Sequence, residues 1–136
     1  MIKPSRNILT IHSRKSELKK AEDFLQEFFN NNNVPQNNFN KVWLCISEAI
    51  INSIVHGHKN DEDKEIRLQV KLDKQHISVT ITDEGEGFNF YEVADPTEKE
   101  NLKKESGRGI HIIKSMCEAL EYNKKGNSIQ FLINCK

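Results

Sequence analysis

No stretch of the 136 residues approaches the ~20 consecutive apolar residues that a membrane helix needs. The first six residues, Met1-Ile2-Lys3-Pro4-Ser5-Arg6, have no apolar core of signal-peptide length. A cytoplasmic protein with no membrane partner is therefore expected. Charge of one sign is also missing, because 20 Lys and Arg balance 20 Asp and Glu. There is no basic tail or stripe either, so nothing draws the domain as a whole to nucleic acid. Cys45, Cys117 and Cys135 are odd in number, form no Cys-x-x-Cys pair and sit in apolar surroundings. That argues against a disulfide framework or a zinc site and predicts buried free thiols. Ser, His and Asp all occur without a nucleophile-elbow pattern, so a hydrolase triad finds no support. Internal repeats and interdomain linkers are absent, and the length suits one domain.

What is present is strong periodicity. Residues 7–12 read as a short strand. From Lys15 to about Asn31, Leu18, Ala21, Phe24, Leu25, Phe28 and Phe29 recur at three and four, which predicts an amphipathic helix ended by Asn30 to Asn33 and Pro35. A second helix is expected from Asn38 to His56. It is apolar around much of its circumference, so it is buried on more than one side. Gly57 is a candidate cap.

Residues 66–72 and 77–82 alternate apolar and polar and predict an antiparallel hairpin linked by Asp73-Lys74-Gln75. The charged stretch 91–106 reads as a loop or short helix. Arg108 to Leu120 reads as a helix, with Ile110, Ile113, Cys117 and Leu120 on one face. Residues 120–123 and 128–135 form a last hairpin. Helices that flank and interrupt such strand pairs predict an α+β fold, a two-layer α/β sandwich with a mixed, mainly antiparallel sheet and helices on one face.

Four groups of residues carry chemistry. Period-2 parity puts Asp83 on the inward face of its strand with Ile77, Val79 and Ile81. A carboxylate there needs a partner, and an exocyclic purine amine is one; alternatively Asp83 begins a turn. In Gly85-Glu86-Gly87-Phe88 the glycines let a flat ligand approach without a Cβ in the way, or they form a plain loop. Ser106-Gly107-Arg108-Gly109-Ile110 opens a helix, where free amides and the dipole suit phosphate and Arg108 adds charge. The bland alternative is a Ser-capped helix with a solvated arginine.

Glu48 and Asn52 stand four apart, with Cβ atoms roughly 5–6 Å apart on one helix face, and His56 extends that line. An amide oxygen suits Mg²⁺, and a carboxylate one turn away can deprotonate a hydroxyl or water. The competing reading is a polar stripe facing solvent. A His56/His58 metal pair is disfavoured, because i, i+2 residues on a helix point apart.

The order of these motifs resembles the gyrase/histidine-kinase ATPase superfamily, in its small anti-sigma-factor serine-kinase branch. Residues 47–57, Ser-Glu-Ala-Ile-Ile-Asn-Ser-Ile-Val-His-Gly, resemble its N box. Residues 83–88 are similar to its first glycine box and residues 106–113 to its second. The likeness spans roughly residues 8 to 135.

It implies a Bergerat-type sandwich that binds ATP with Mg²⁺. Asn52 would hold Mg²⁺ and phosphate, and Glu48 would be the general base. Asp83 would accept from the adenine amine, Gly85 and Gly87 would shape the base pocket, and Gly107, Arg108 and Gly109 would cover the phosphates. Residues 91–106 correspond to the lid, and Ser128 falls where relatives carry a Thr near the adenine-bound Asp. His111 departs from the pattern, standing where another glycine is common. A homodimer is expected by the same analogy, and no sensor or histidine-phosphotransfer module is expected. The function implied is a serine/threonine protein kinase that acts on an antagonist protein and binds a sigma factor. The alternatives are an ATP-gated partner switch without transfer and a plain interaction domain.

Overall fold

The computed structural model describes residues 7–57, 62–83, 112–123 and 127–135, with no account of the His56 side chain. Alternation along the strands builds a five-stranded sheet of order β1-β2-β3-β5-β4. Its strands are β1 (Ile8–His12), β2 (Glu65–Asp73), β3 (His76–Asp83), β4 (Ala119–Tyr122) and β5 (Ser128–Asn134). All four pairings are antiparallel.

One face carries Ile11, Ile66, Leu68, Val70, Ile77, Val79, Ile81, Ile129, Phe131 and Ile133, all buried. Between them stand Arg67, Lys71, Thr80 and Gln130, which are exposed or half-buried on the other face. The helices pack on the apolar face: α1 (Leu18–Asn31) through Ala21, Leu25, Phe28 and Phe29, and α2 (Phe39–Asn52) through Val42, Cys45, Ile46, Ala49 and Ile50. Phe29 and Phe39 join them edge to face, with ring centroids 5.3 Å apart. The expected two-layer α+β sandwich is what forms.

The end of α1 shows why the asparagines at 30 to 33 stop it. Asn33 takes a left-handed φ of 55°. The Val34 N–H reaches back to the Phe29 carbonyl at 3.0 Å and the Asn32 N–H to the Phe28 carbonyl at 3.1 Å. This is a Schellman turn with asparagine in place of glycine, closed by Val34 entering the core. Lys74, in the β2–β3 hairpin, is likewise left-handed at φ 57°, where a Cβ is disfavoured. Lys74→Gly is expected to stabilise the fold by about 0.5–1 kcal/mol, read from the midpoint of urea unfolding.

At the start of α1, Glu17 ties the helix to β1. Its carboxylate accepts the His12 backbone N–H at 3.1 Å and lies 2.9 Å from Lys20 Nζ. Lys20 and the His12 amide hold the carboxyl at about 2, down from its ordinary 4.5. Because the folded value lies below the unfolded one, this stabilisation is fully present above about pH 4.5 and is lost as pH falls towards 2. Glu17→Gln is expected to cost about 1–2 kcal/mol at pH 7 and much less at pH 3, by denaturant titration at both pH values.

Two helix ends differ from the sequence reading. The α-helical part of α2 stops at Asn52, and Ser53–Gly57 continues as a wider π turn. The late helix is described at 112–116 and does not extend to Leu120. The Glu118 N–H instead donates to the Leu132 carbonyl at 2.8 Å, and Ala119 and Leu120 pair with Leu132 and Phe131 of β5. Sheet pairing overrides the helical periodicity of that stretch, so Leu120 packs against the core from a strand. Among the described residues no helix is long and apolar enough to cross a membrane.

Candidate functional site

The apolar sides of α2 fix its axis over the sheet, and this brings the polar residue at its C-terminal end to the sheet's inner face. Asn52 is only 5% exposed, and its Oδ1 is buried without a hydrogen-bond partner among the described residues. Burying an amide oxygen this way costs about 1–3 kcal/mol, which a ligand or water can recover. The helix widens into its π turn just beyond this residue; such widenings recur at functional sites.

Across from Asn52, β3 ends on Asp83. Every second residue of that strand is buried, and the same parity that buries Ile77, Val79 and Ile81 buries Asp83, at 5% exposure. The carboxylate therefore faces the helix layer, not bulk water.

Asn52 and Asp83 line one small cavity with Ala49, Ser53, Ile81, Tyr122, Asn127, Ser128 and Ile129. Its free volume is about 10 Å³, room for about one water. The described residues thus supply a polar floor between α2 and the sheet. Tyr122 completes it from β4, where pairing with Ile129 sets its ring on the inward face. Burial, followed by the Asp83 carboxylate, pushes its phenol up, so it stays protonated.

Glu48 stands one turn before Asn52 on α2 and is half-buried, but it is not among the residues lining this cavity. Its charge reaches Cys45, whose thiol is pushed up to about 12, chiefly by burial. Cys45 and Cys135 are buried free thiols, as expected, and Cys117 is a half-buried one. A thiol held that high is inert as a nucleophile.

Ser128 lines the cavity, but its hydroxyl lies 3.0 Å from Thr82 Oγ1. It pairs with Thr82 in the ladder and so shares the face opposite Asp83. The residue joined to Asp83 is Asn127: the Asp83 N–H donates to the Asn127 carbonyl at 2.8 Å, and Asn127 Nδ2 donates to the Asp83 carbonyl at 2.9 Å. Sequence reasoning missed both Asn127 and Tyr122. Period-2 parity from Leu120 points to Tyr122, whereas no periodic signal marks Asn127. Gly85, Gly87, Phe88, Gly107, Arg108, Gly109 and Ile110, and the lid expected at 91–106, lie outside the described residues, as does the His56 side chain. Among the described residues no group of three or more His, Cys, Asp or Glu could hold a metal ion. Asn52 Oδ1 is the orphaned amide oxygen at this floor, a donor type that suits a hard cation taking its other ligands from phosphate and water.

The model of the histidine kinase-like ATPase domain matches residues 11–133. The chain belongs to that family. Its similarity to individual family members agrees. It is 33% identical over 101 residues to the anti-sigma F factor of Clostridium beijerinckii, covering 71% of this chain and 70% of the relative. It is 32% identical over 96 residues to that of Clostridium perfringens strain SM101, covering 68% of each. In fold, this histidine kinase-like ATPase domain is similar to the solved RsbU and RsbW domains of a Mycobacterium tuberculosis protein, with a TM-score of 0.60 at 10% identity. The match covers 95% of this chain and 32% of that longer one. At that identity the likeness speaks for the fold alone.

Proposed function

We propose that the chain binds ATP with Mg²⁺ between α2 and the sheet, and that it is an anti-sigma-factor-type serine/threonine protein kinase. The observation that carries this reading is the pairing of a buried Asp83 with the orphaned Oδ1 of Asn52 across one cavity. Asp83 is suited to accept the adenine amine, and Asn52 to hold Mg²⁺ against the phosphates. When bound, Mg²⁺ neutralises charge on the phosphate oxygens. Support for the regulatory role comes from the anti-sigma F factors to which the chain is similar. The whole of residues 1–136 is read as one ATP-binding domain. A sigma factor and an antagonist protein are its partners, in the cytoplasm, with the chain acting as a homodimer.

In the transfer step the acceptor seryl or threonyl oxygen attacks the γ-phosphorus while its proton passes to the Glu48 carboxylate. The bond from the γ-phosphorus to the bridging oxygen breaks, and ADP leaves with that electron pair. The products are a phosphorylated antagonist and ADP. Gly107, Arg108 and Gly109 are proposed to cover the phosphates, with Ile110 a nucleotide contact of the same motif, and Gly85, Gly87 and Phe88 to border the base. His56 and Ser128 are read as lesser contacts.

The test is to incubate the protein with γ-labelled ATP, Mg²⁺ and a candidate antagonist protein chosen from its genomic neighbours. Labelled antagonist is the expected result. Tight ATP binding with no label would replace the kinase by an ATP-gated switch. Absence of ATP binding in calorimetry would remove both readings.

A further inference from the structure

We infer that two asparagines outside the expected motifs, Asn123 and Asn127, form a clamp that sets base selectivity by positioning Asp83; this rests on the proposed ATP site. Asp83 is the last residue of β3, and a strand's end frays unless something holds it. Both of its backbone groups are held by one residue. Its N–H donates to the Asn127 carbonyl at 2.8 Å, and its carbonyl accepts Asn127 Nδ2 at 2.9 Å.

Asn127 precedes the first residue of β5, so it needs an anchor of its own. Asn123, just past the end of β4, provides it. Asn123 Nδ2 donates to Asn127 Oδ1 at 2.6 Å, and Asn123 Oδ1 accepts the backbone N–H groups of Asn127 and Ser128 at 3.0 and 3.1 Å. The Asn123 N–H closes the loop on the Ser128 carbonyl at 3.0 Å. The chain of bonds runs from the β4–β5 connection through two side-chain amides to the main chain of Asp83. An Asx side chain can satisfy turn amides by itself, which accounts for Asn123. Turn chemistry does not require Asn127 Nδ2 to cross to β3.

Hydrogen-bond selectivity depends on where the acceptor sits, and a misplaced acceptor loses discrimination before it loses binding. Asn127 and Asn123 are therefore positioning residues, with Asp83 as the group that reads the base.

The test measures dissociation constants for ATP and for purine riboside triphosphate, which lacks the 6-amino group, by calorimetry on wild type, Asn127→Ala, Asn123→Ala and the double variant. Wild type is expected to prefer ATP. Asn127→Ala and Asn123→Ala should each shrink that preference about five- to tenfold, and the double variant no further, since both lie on one path. A purely structural role would weaken both ligands in proportion, or lower the melting temperature with the ratio unchanged. Either outcome overturns the inference. Should Asn127→Ala not fold, Asn123→Ala, at an exposed position, carries the test alone. Wild type that fails to bind ATP would refute the parent reading instead.

Discussion

Asp83→Asn is expected to weaken ATP binding about a hundredfold while leaving the fold nearly as stable as before. The carboxylate is buried and faces the helix layer, so a hydrogen bond it accepts forms out of water. Such bonds to a charged group are worth about 1.5–3 kcal/mol. The amide is nearly isosteric but sets a donor against the donor amine of the base. A buried polar group of the ligand then goes unpaired, a penalty of similar size in addition to the lost bond. Stability should move by no more than about 1 kcal/mol, because the substitution keeps the shape and removes a buried charge. Calorimetry with ATP gives the first number and urea unfolding the second. Unchanged affinity would mean that the base is read elsewhere. Equal loss for inorganic triphosphate would mean that the site as a whole had collapsed.

The burial of Asp83 was legible from its strand alone, because period 2 is rigid: once Ile77, Val79 and Ile81 face inward, residue 83 has to follow. The apolar girth of α2 likewise gave the helix that carries Asn52, although the switch to a π turn after Asn52 left no mark in the pattern. Asn127 was illegible for a different reason. Its role comes from a bond to a residue 44 positions earlier in the chain, and no local periodicity encodes a contact that depends on how β3 and β5 meet. Ser128 shows a further limit. The sequence places a hydroxyl beside the base side of the cavity, which Ser128 does line, but only the strand register reveals that this hydroxyl is paired with Thr82. Leu120 failed through ambiguity, since its spacing from Ile113 and Cys117 suits a helix while its actual neighbours are the strand residues of β5. Local pattern therefore found the floor of the site, and only tertiary pairing found what secures it.

Glu48→Ala is expected to abolish phosphoryl transfer to a detectable limit, a loss of at least about 10²–10⁴ in rate, with ATP affinity changed less than about threefold. The separation follows from position. Glu48 sits a full helical turn from Asn52 and is not among the residues lining the cavity that Asn52 and Asp83 share, so it is not expected to read the base. A general base contributes in the transition state, where the acceptor proton moves, and adds little to ground-state binding. Glu48→Gln separates charge from shape: it keeps the side chain's volume on α2 but cannot take a proton, and should be as inactive as the alanine variant. Single-turnover transfer from labelled ATP, alongside calorimetry, reads both quantities. If Glu48→Gln transfers phosphate at the wild-type rate, the proton goes elsewhere. If both variants lose ATP binding in step with transfer, Glu48 is part of how α2 holds the nucleotide rather than a base. The kinase reading then has to rest on another residue, whereas the proposed ATP site at Asp83 and Asn52 is judged by the Asp83→Asn result.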